Sequence, residues 1–316
     1  MWDTILTSTF IVGLLQATLR TTTPLLLAAL GELYSERSGV LNIGLEGIML
    51  IGTLVGFLVS YFTGNAWLGV LAGSLAGSLI ALIHAVLSVT MGVSQVVSGV
   101  GINILCVGLS MTIYRVVFGP SLIKAPMATG LQPIHLPVLS DLPVIGPVLF
   151  QQLPLVYIAF ALAPITWFVL YRTELGLKIR AVGEHPLAAE TVGVSVAGIR
   201  YFTVLLCGFL TGMAGTFLSL GLLNIFLDNM TAGRGWIALA VVILGRWSPF
   251  RILGAALFFG FADAIQLRLQ ALGFNVPYQF LLMIPYVLTM LALISAVGRR
   301  SAAPGALGKP FTGEAH

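Results

Sequence analysis

The chain has 316 residues, of which 58% are hydrophobic and 8% are charged, and its formal net charge at pH 7 is +4. Soluble domains carry about 25% charged residues, so this chain has too few charges to cover a water-facing surface, and a soluble enzyme is excluded. Its Lys and Arg residues are dispersed among loops and do not form one tract, so the charge does not indicate nucleic acid as a partner.

Apolar runs of about 20 residues, the length that crosses a bilayer, recur along the whole chain. The first, residues 5–30, is interrupted by Arg20 and Pro24 and is compatible with one kinked helix or two short ones. Eight further spans are predicted at residues 44–62, 67–91, 93–118, 154–171, 201–223, 236–244, 252–269 and 278–297. The predicted fold class is all-α: a polytopic integral membrane protein with about 9–10 transmembrane helices. Residues 1–298 form the membrane domain, and residues 299–316 form a cytoplasmic tail.

The distribution of Lys and Arg predicts the orientation, because cytoplasmic loops are enriched in both. If residues 172–200 are cytoplasmic, ten basic residues lie inside and four lie outside. The ten are Arg37, Arg172, Lys178, Arg180, Arg200, Arg246, Arg251, Arg299, Arg300 and Lys309. The four are Arg115, Lys124, Arg234 and Arg268. The C-terminus is therefore predicted to be cytoplasmic, whereas the side of the N-terminus depends on how often residues 5–30 cross.

A faint internal repeat joins two parts of the chain. Residues 44–47 (Gly-Leu-Glu-Gly) lead into a span, a turn and a Leu-Gly pair at 68–69, and residues 233–235 (Gly-Arg-Gly) lead into a span, a turn and a Leu-Gly pair at 253–254. In the predicted orientation the two arms run in opposite directions. Inverted repeats of this kind are typical of transporters, so the pattern indicates a possible inverted repeat.

The charged segment 172–200 is predicted to contain a short helix that lies along the cytoplasmic face. Gly183 is expected to break the chain, with Glu184 placed where the helix dipole favours a negative charge. Pro186 suits the first helical position, and Gly193 can end the helix in the left-handed conformation. Ala188 and Ala189 would give this helix a small face against which a partner protein can pack.

The spacing of Ala188, Ala189 and Gly193 resembles the coupling-loop motif of ABC importer permeases, in which two alanines precede a glycine. The wider pattern, together with residues 35–47 and 233–240, resembles the branched-chain amino acid, simple sugar and nucleoside permease family, and most closely its nucleoside and simple-sugar branch. Leu187 stands where the general importer motif has Glu, and His185 stands where this branch often has Asn. The resemblance covers residues 20 to 298.

The resemblance implies a type II ABC importer-like permease subunit that forms the translocation pathway for nucleosides. The same architecture carrying a simple sugar such as a pentose, or a branched-chain amino acid, is the alternative. The short helix would dock on a separate ATPase subunit through the segment that contains Gly183, Glu184, Pro186, Ala188, Ala189 and Gly193. ATP and Mg would bind that partner, because residues 305–309 lack the spacing of a phosphate-binding loop.

The resemblance also implies the setting in which the chain works. A second related permease or a second copy, and an extracytoplasmic binding protein or lipoprotein, would complete the transporter in the bacterial plasma (inner) membrane. The chain itself is predicted to be no enzyme and to bind no cofactor or metal.

Two Gly-rich segments, 38–47 and 231–236, are predicted to line the substrate pathway, since backbone leaves helical geometry in a bilayer only beside protein or water. The candidate pathway residues are Asn42, Glu46, Asn103 and Trp236. Asn and Glu side chains can bond to hydroxyl groups or a base edge, and Trp can stack on a ring. The alternative is that the glycines serve helix packing and that Asn42 caps a helix.

A secondary transporter is the rival from another class, and it would need a site for a coupling ion. Asp263 is a carboxylate deep in a predicted span, and ionisable groups there are costly and usually functional. Pairing with Arg268 is the alternative for Asp263. His84 is expected to be packed with a local hydrogen bond, and Cys106 and Cys207 are expected to be buried as small hydrophobic residues.

Overall fold

The computed structural model describes residues 8–119, 125–134, 145–271 and 303–311, together with residues 283, 287 and 290. In these ranges the chain folds into eleven α-helices and contains no β-strand. The helices are α1 (Ser8–Arg37), α2 (Leu45–Thr63), α3 (Ala66–Ala85), α4 (Gln95–Phe118), α5 (Ile145–Phe150), α6 (Pro154–Arg172), α7 (Glu174–Glu184), α8 (Pro186–Thr191), α9 (Val196–Phe217), α10 (Arg234–Leu244) and α11 (Pro249–Ala271). Short π-helical segments, Val86–Thr90 and Leu218–Leu223, continue α3 and α9.

Seven helices in the described part of the chain are long and apolar enough to cross a membrane, and α10 is a shorter apolar helix. The seven are α1, α2, α3 with its π-helical end, α4, α6, α9 with its π-helical end, and α11. They confirm an all-α, multi-pass membrane protein. Six of them agree closely with spans predicted between residues 44 and 269, and the span predicted at 236–244 corresponds to the short helix α10. The span predicted at 278–297 and most of the tail 299–316 lie outside the described residues.

The first apolar stretch forms one continuous helix, α1, which passes through Pro24 and ends at Arg37. This settles the choice between one helix and two in favour of one. The charge that interrupts the run has a partner, because the Arg20 Nε–H donates to the Gln152 side-chain oxygen at 3.1 Å. A polar group paired in this way no longer opposes a continuous helix in an apolar environment.

The centre of the bundle is held by close backbone contacts between α9 and the pair α2–α3. A Cβ atom at Gly52 of α2 would lie 2.5 Å from the carbonyl oxygen of Gly212 in α9. On α3, a Cβ at Gly77 would clash with the Gly208 carbonyl oxygen. Only glycine lets helix backbones approach this closely, which is how small residues bring membrane helices together.

His84 lies in this part of the bundle and is fully buried. Its ring nitrogens bond to the Ser98 hydroxyl at 3.0 Å and to the Leu41 carbonyl oxygen at 3.1 Å. The expectation of a packed histidine with local hydrogen bonds is confirmed. Cys106 and Cys207 are also buried, as expected.

Residues 172–200, the end of α1 and residues 303–311 lie at one end of the bundle. The Ala306 N–H donates to the Gly183 carbonyl oxygen at 2.9 Å, and the Gly308 N–H donates to the Gly39 carbonyl oxygen at 3.2 Å. The basic residues predicted to share the cytoplasmic side therefore include three groups that are close in space: Arg37, the segment 172–200, and Lys309.

Candidate functional site

The two Gly-rich segments predicted to line the pathway meet at Glu46 in the first turn of α2. Its carboxylate oxygens accept hydrogen bonds from the N–H groups of Gly233, at 2.8 Å, and Gly235, at 2.7 Å. The residue is only 7% exposed, and a Cβ atom at Gly235 would lie 2.5 Å from the Glu46 nitrogen. We call these contacts the Glu46 latch.

The latch has a simple physical basis. Gly233 and Gly235 lie at the start of α10, where the first N–H groups of a helix have no partner within the helix. The helix dipole adds a partial positive charge at the same place, so a carboxylate is favoured there. Glu46 therefore joins α2 to α10 across 187 residues of sequence.

Asn103 of α4 holds the Gly-rich segment from the other side. Its side-chain oxygen accepts a hydrogen bond from the Gly47 N–H at 2.8 Å, and its amide nitrogen donates to the Ile43 carbonyl oxygen at 3.0 Å. The first bond satisfies an N–H in the first turn of α2, which has no partner within the helix. The second satisfies a carbonyl oxygen just before the helix, as backbone at membrane depth requires.

A cavity of about 390 Å³ lies beside the latch. Its lining residues are Glu46, Asn103, Ile104, Val107, Asn229, Gly233 and Trp236. Three of the four residues predicted for the pathway, Glu46, Asn103 and Trp236, are thus brought together in one place. Trp236 is 46% exposed, so its ring offers a free face. The wall combines apolar side chains with a few polar groups, as small-molecule sites do.

Asn229 is a lining residue that sequence reasoning missed. It lies between α9 and α10 in a segment without regular helix, and its φ angle of 55° places it in the left-handed region. Asn tolerates that region better than most residues, so the position reads as an ordinary turn residue. Only the tertiary fold, which brings this turn next to α4, reveals its place in the cavity wall.

Asn42, the fourth predicted pathway residue, lies outside this cavity and is fully buried. Its side-chain oxygen accepts a hydrogen bond from the N–H of Gly44, the residue that precedes α2. Its own N–H donates to a Glu32 carboxyl oxygen at 2.8 Å. Gly44 is the N-cap residue of α2 and has no side-chain cap, so Asn42 orders the turn before the helix and does not cap the helix itself.

Two buried carboxyl groups in α1 escaped the sequence reasoning. Glu32 and Glu36 lie one helical turn apart and are exposed by no more than 1%. The Cys207 thiol donates to Glu32 at 3.3 Å, and the Trp247 indole N–H donates to Glu36. This cluster fixes α1 to α9 and to the segment that follows α10. Two glutamates four residues apart near a helix end are also common on a solvated helix face, so the sequence does not indicate that this pair is buried.

Asp263 in α11 forms an ion pair with Arg234 at the start of α10, with 3.7 Å between the charged atoms. The suggested pairing with Arg268 is wrong in the structure, where the Arg268 guanidinium lies over the Phe10 ring at 5.6 Å. Five residues along a helix place two side chains on different faces, which explains the difference. The deep carboxylate thus has a cationic partner close to the cavity wall.

The predicted short helix in the charged segment is confirmed as α8. It begins with Pro186 in its first turn and is followed by Gly193, whose φ angle is 82°. Gly183 does not break the chain, contrary to the prediction, because α7 continues to Glu184 and the turn falls at His185. A Cβ atom at Gly183 would clash with the Arg37 carbonyl oxygen, so this glycine instead lets α7 touch the end of α1.

The face of α8 that is free for a partner differs from the predicted one. Ala189 is only 3% exposed and packs against Val182 and Val196, so the two alanines do not form a common exposed face. Ala188 is exposed, and the large apolar side chains near it are Leu187, 51% exposed, and Val192, 76% exposed. A patch of this kind, apolar and next to charged residues, is typical of an interaction surface.

On α7, Glu174 and Lys178 form an ion pair at 2.7 Å on the protein surface. The hydrogen bond from Lys178 and its positive charge lower the pKa of the Glu174 carboxyl group. The pair is exposed, so it contributes little to stability.

Three known transport proteins are similar to this chain over nearly its whole length. The chain is 41% identical to a guanosine ABC transporter permease protein of Bacillus subtilis, over 93% of this chain and 95% of that protein. It is 35% identical to a nucleoside ABC transporter permease protein of Lactococcus lactis, over 88% and 90% of the two chains. It is 40% identical to a putative glucose ABC transporter permease protein of Haloferax volcanii, over 96% and 99%.

No solved structure matches the chain. The family model of the permease component of branched-chain amino acid transport systems matches residues 14–293. The match takes in the latch, the cavity and the charged segment with α8. With this match and the three relatives, the chain belongs to the branched-chain amino acid transport system permease component family.

Proposed function

We propose that this chain forms the translocation pathway for nucleosides in an ABC importer. The cavity beside the Glu46 latch carries this proposal, because it combines the half-exposed ring of Trp236 with the polar side chains of Asn103 and Asn229. An aromatic face suits a nucleobase, and amide groups suit its edge or the ribose hydroxyls. Relatives named for guanosine and for nucleosides support the same substrate class.

The chain works with a separate ATPase subunit that binds ATP and Mg. α8 docks on that subunit through Leu187, Ala188 and Val192, the residues that are exposed in or directly after the helix. Movement of α8 passes through α7 to the end of α1, since Gly183 touches Arg37. The pathway changes from outward-facing to inward-facing when the arms joined at the Glu46 latch move against each other.

The remaining partners follow from the family. A second permease chain, either a related one or another copy, completes the pathway, and an extracytoplasmic binding protein or lipoprotein delivers the substrate. The transporter lies in the bacterial plasma membrane, with residues 172–200 and 303–311 on the cytoplasmic side. The two segments are in contact, because the Ala306 N–H donates to the Gly183 carbonyl oxygen. This contact supports placing both on one side of the membrane.

A simple sugar is the second candidate substrate. The 40% identity to a putative glucose permease protein favours it, and an aromatic ring such as that of Trp236 can also pack against the apolar face of a sugar. A nucleoside has a base that can stack on the Trp236 ring, whereas a simple sugar has none. A nucleoside should lose affinity when the ring is removed, whereas a sugar that bonds mainly to amide groups should lose less.

Uptake of labelled guanosine and uridine by a strain that lacks this chain, and by the same strain with the chain restored, tests the proposal. Uptake should return with the chain, and unlabelled nucleosides should compete, whereas glucose, pentoses and leucine should not. If the chain restores uptake of labelled glucose or a labelled pentose and not of guanosine or uridine, it belongs to the sugar candidate. Uptake of none of these compounds would contradict a permease for either class.

A second experiment distinguishes ATP-driven import from secondary transport. The proton gradient is collapsed while cellular ATP is kept high, and nucleoside uptake is followed. Import driven by the ATPase subunit should continue. Complete loss of uptake with ATP still present would favour a coupling ion and would direct attention to Asp263, the carboxylate paired with Arg234.

A further inference from the structure

Residues 303–311 lie across the place where α7 meets the end of α1. The turn at 305–308 donates one backbone hydrogen bond to each side of that contact: Ala306 to the Gly183 carbonyl oxygen at 2.9 Å, and Gly308 to the Gly39 carbonyl oxygen at 3.2 Å. Ala306 is only 6% exposed. This segment, which we call the strap, thus bonds both to the last turn of α7 and to the segment that follows α1.

The strap also bonds to the corner between α7 and α8. The Gly305 N–H donates to the Glu184 carboxylate at 3.1 Å, and Glu184 is the last residue of α7. The Lys309 ammonium group donates to the Gly305 carbonyl oxygen at 3.0 Å and closes the turn. A cavity of about 410 Å³ lies between the strap and residues 184–187, so the strap holds the corner without filling the space beside the start of α8.

Arg200 anchors the strap from the first turn of α9. The residue is 1% exposed, and among the described residues no acidic side chain forms an ion pair with it. Its guanidinium donates to the carbonyl oxygens of Ser38, at 3.3 Å, and Lys309, at 3.4 Å, and it lies 5.7 Å from the centre of the Phe311 ring. A buried cation is costly unless it is bonded, so Arg200 favours the bound position of the strap.

We propose that the strap is a mechanical link that makes the α7–α8 corner move together with the end of α1, and that Arg200 is its positioning residue. The inference rests on the proposed function, in which α8 receives the movement of an ATPase subunit. Without the strap, the contact between Gly183 and Arg37 would remain, but the corner would lose the bonds to Gly183 and Glu184, and the segment after α1 would lose the bond to Gly39. Movement of α8 would then reach α1 only through the contact between Gly183 and Arg37, and most of it would be absorbed at the corner.

The test compares the full transporter, reconstituted in liposomes, with the wild-type chain and with a chain that lacks residues 304–316. The measured quantity is substrate transported per ATP hydrolysed. We expect the deletion to keep the ATPase subunit bound and to keep ATP hydrolysis within about twofold, since α8 is intact, but to lower transport per ATP at least tenfold. Deletion of residues 312–316 is the matched control, because it leaves the strap in place, and should change the ratio less than twofold.

Two point variants guard against a deletion that fails to fold. Ala306→Pro removes the N–H that bonds to Gly183, and should lower transport per ATP about threefold to tenfold. Arg200→Lys keeps the positive charge and a donor group, so its transport per ATP should stay closer to the wild-type value than that of Arg200→Gln. A purely structural role would change the amount of folded complex and leave the ratio as in the wild type.

Two results would overturn the proposal. Transport per ATP equal to that of the control in both the deletion and Ala306→Pro would show that the strap transmits nothing. Loss of the ATPase subunit from the purified deletion complex would show that the strap acts in docking and not in transmission. The comparison uses whichever substrate restores uptake in the wild type, so a failure of the nucleoside assignment changes the labelled compound and leaves this test intact.

Discussion

Replacing Glu46 by Gln tests whether the latch holds the two arms of the pathway together. Gln has nearly the same shape and volume as Glu, so packing is preserved. One of its two oxygens is replaced by an NH₂ group, which would face the N–H of Gly233 or Gly235, donor against donor. The substitution therefore removes one hydrogen bond and the negative charge at the start of α10, and it changes little else.

The size of the effect follows from these contacts. A hydrogen bond to a charged group contributes about 1.5–3 kcal/mol, and a carboxylate at a helix N-terminus gains about 0.3–1 kcal/mol from the dipole. The joined arrangement of α2 and α10 should therefore lose about 2–4 kcal/mol. Since each 1.4 kcal/mol is a factor of ten, its population relative to the separated arrangement should fall about 30-fold to 700-fold.

The assay is the initial rate of nucleoside uptake in cells that carry the variant, normalised to the amount of the chain in the membrane. We expect Glu46→Gln to lower the rate at least tenfold. Glu46→Asp keeps the charge but is one methylene shorter, so it should reach only one of the two N–H groups and give an intermediate rate. The matched control is Glu174→Gln, the same chemical change on the surface of α7, which should keep the rate within about twofold of the wild type. Wild-type uptake by Glu46→Gln at normal membrane levels would refute the role of the latch.

Three further substitutions test other parts of the structure. Trp236→Ala should raise the KM for nucleoside uptake about tenfold, as expected for loss of one stacked base worth about 1–3 kcal/mol, whereas Trp236→Phe should raise it less than threefold. Ala188→Arg, on the exposed side of α8, should abolish copurification of the ATPase subunit with normal yield of the chain, whereas Ala189→Arg, at a buried position, should lower the yield of folded chain. Gly77→Val should prevent accumulation of the chain in the membrane, because its side chain would enter the α9 backbone at Gly208.

Each of these expectations has a result that contradicts it. An unchanged KM in Trp236→Ala would remove the ring from the binding site. Normal yield and normal ATPase binding in both Ala188→Arg and Ala189→Arg would show that α8 is not the docking helix. Normal membrane levels of Gly77→Val would mean that α3 and α9 can separate without loss of the fold.

The positions of most spans could be predicted from the sequence because the requirement is local. A helix in lipid satisfies its backbone within itself, so a run of apolar residues is enough. The described bounds of α2 and α4 differ from the predicted ones by at most two residues, and those of α9 by at most six. The start and end of α8 could be predicted for the same reason, since Pro186 and Gly193 act on their own backbone.

The contacts between distant residues could not be predicted in this way. The sequence predicts Glu46 for the pathway from its Gly-rich neighbours, and it points separately to the segment 231–236. It does not indicate that the Glu46 carboxylate bonds to the N–H groups of Gly233 and Gly235. Asn42 was a candidate of equal standing, and only burial and the bond to Gly44 separate the two residues. The exposed face of α8 was predicted wrongly at Ala189 because its covering residues, Val182 and Val196, come from other helices.

The glycine contacts at the centre of the bundle have a consequence for how the substrate range of this transporter can change. Because α2, α3 and α9 touch through their backbones at Gly52, Gly77, Gly208 and Gly212, substitutions there are rejected whatever their chemistry. Trp236 and Asn229, in contrast, lie on one short helix and one turn at the edge of this block, and both are exposed. On the proposed function, new substrates would be acquired by substitutions at those two places, at small cost in stability, while the helices that set the shape of the molecule stay unchanged.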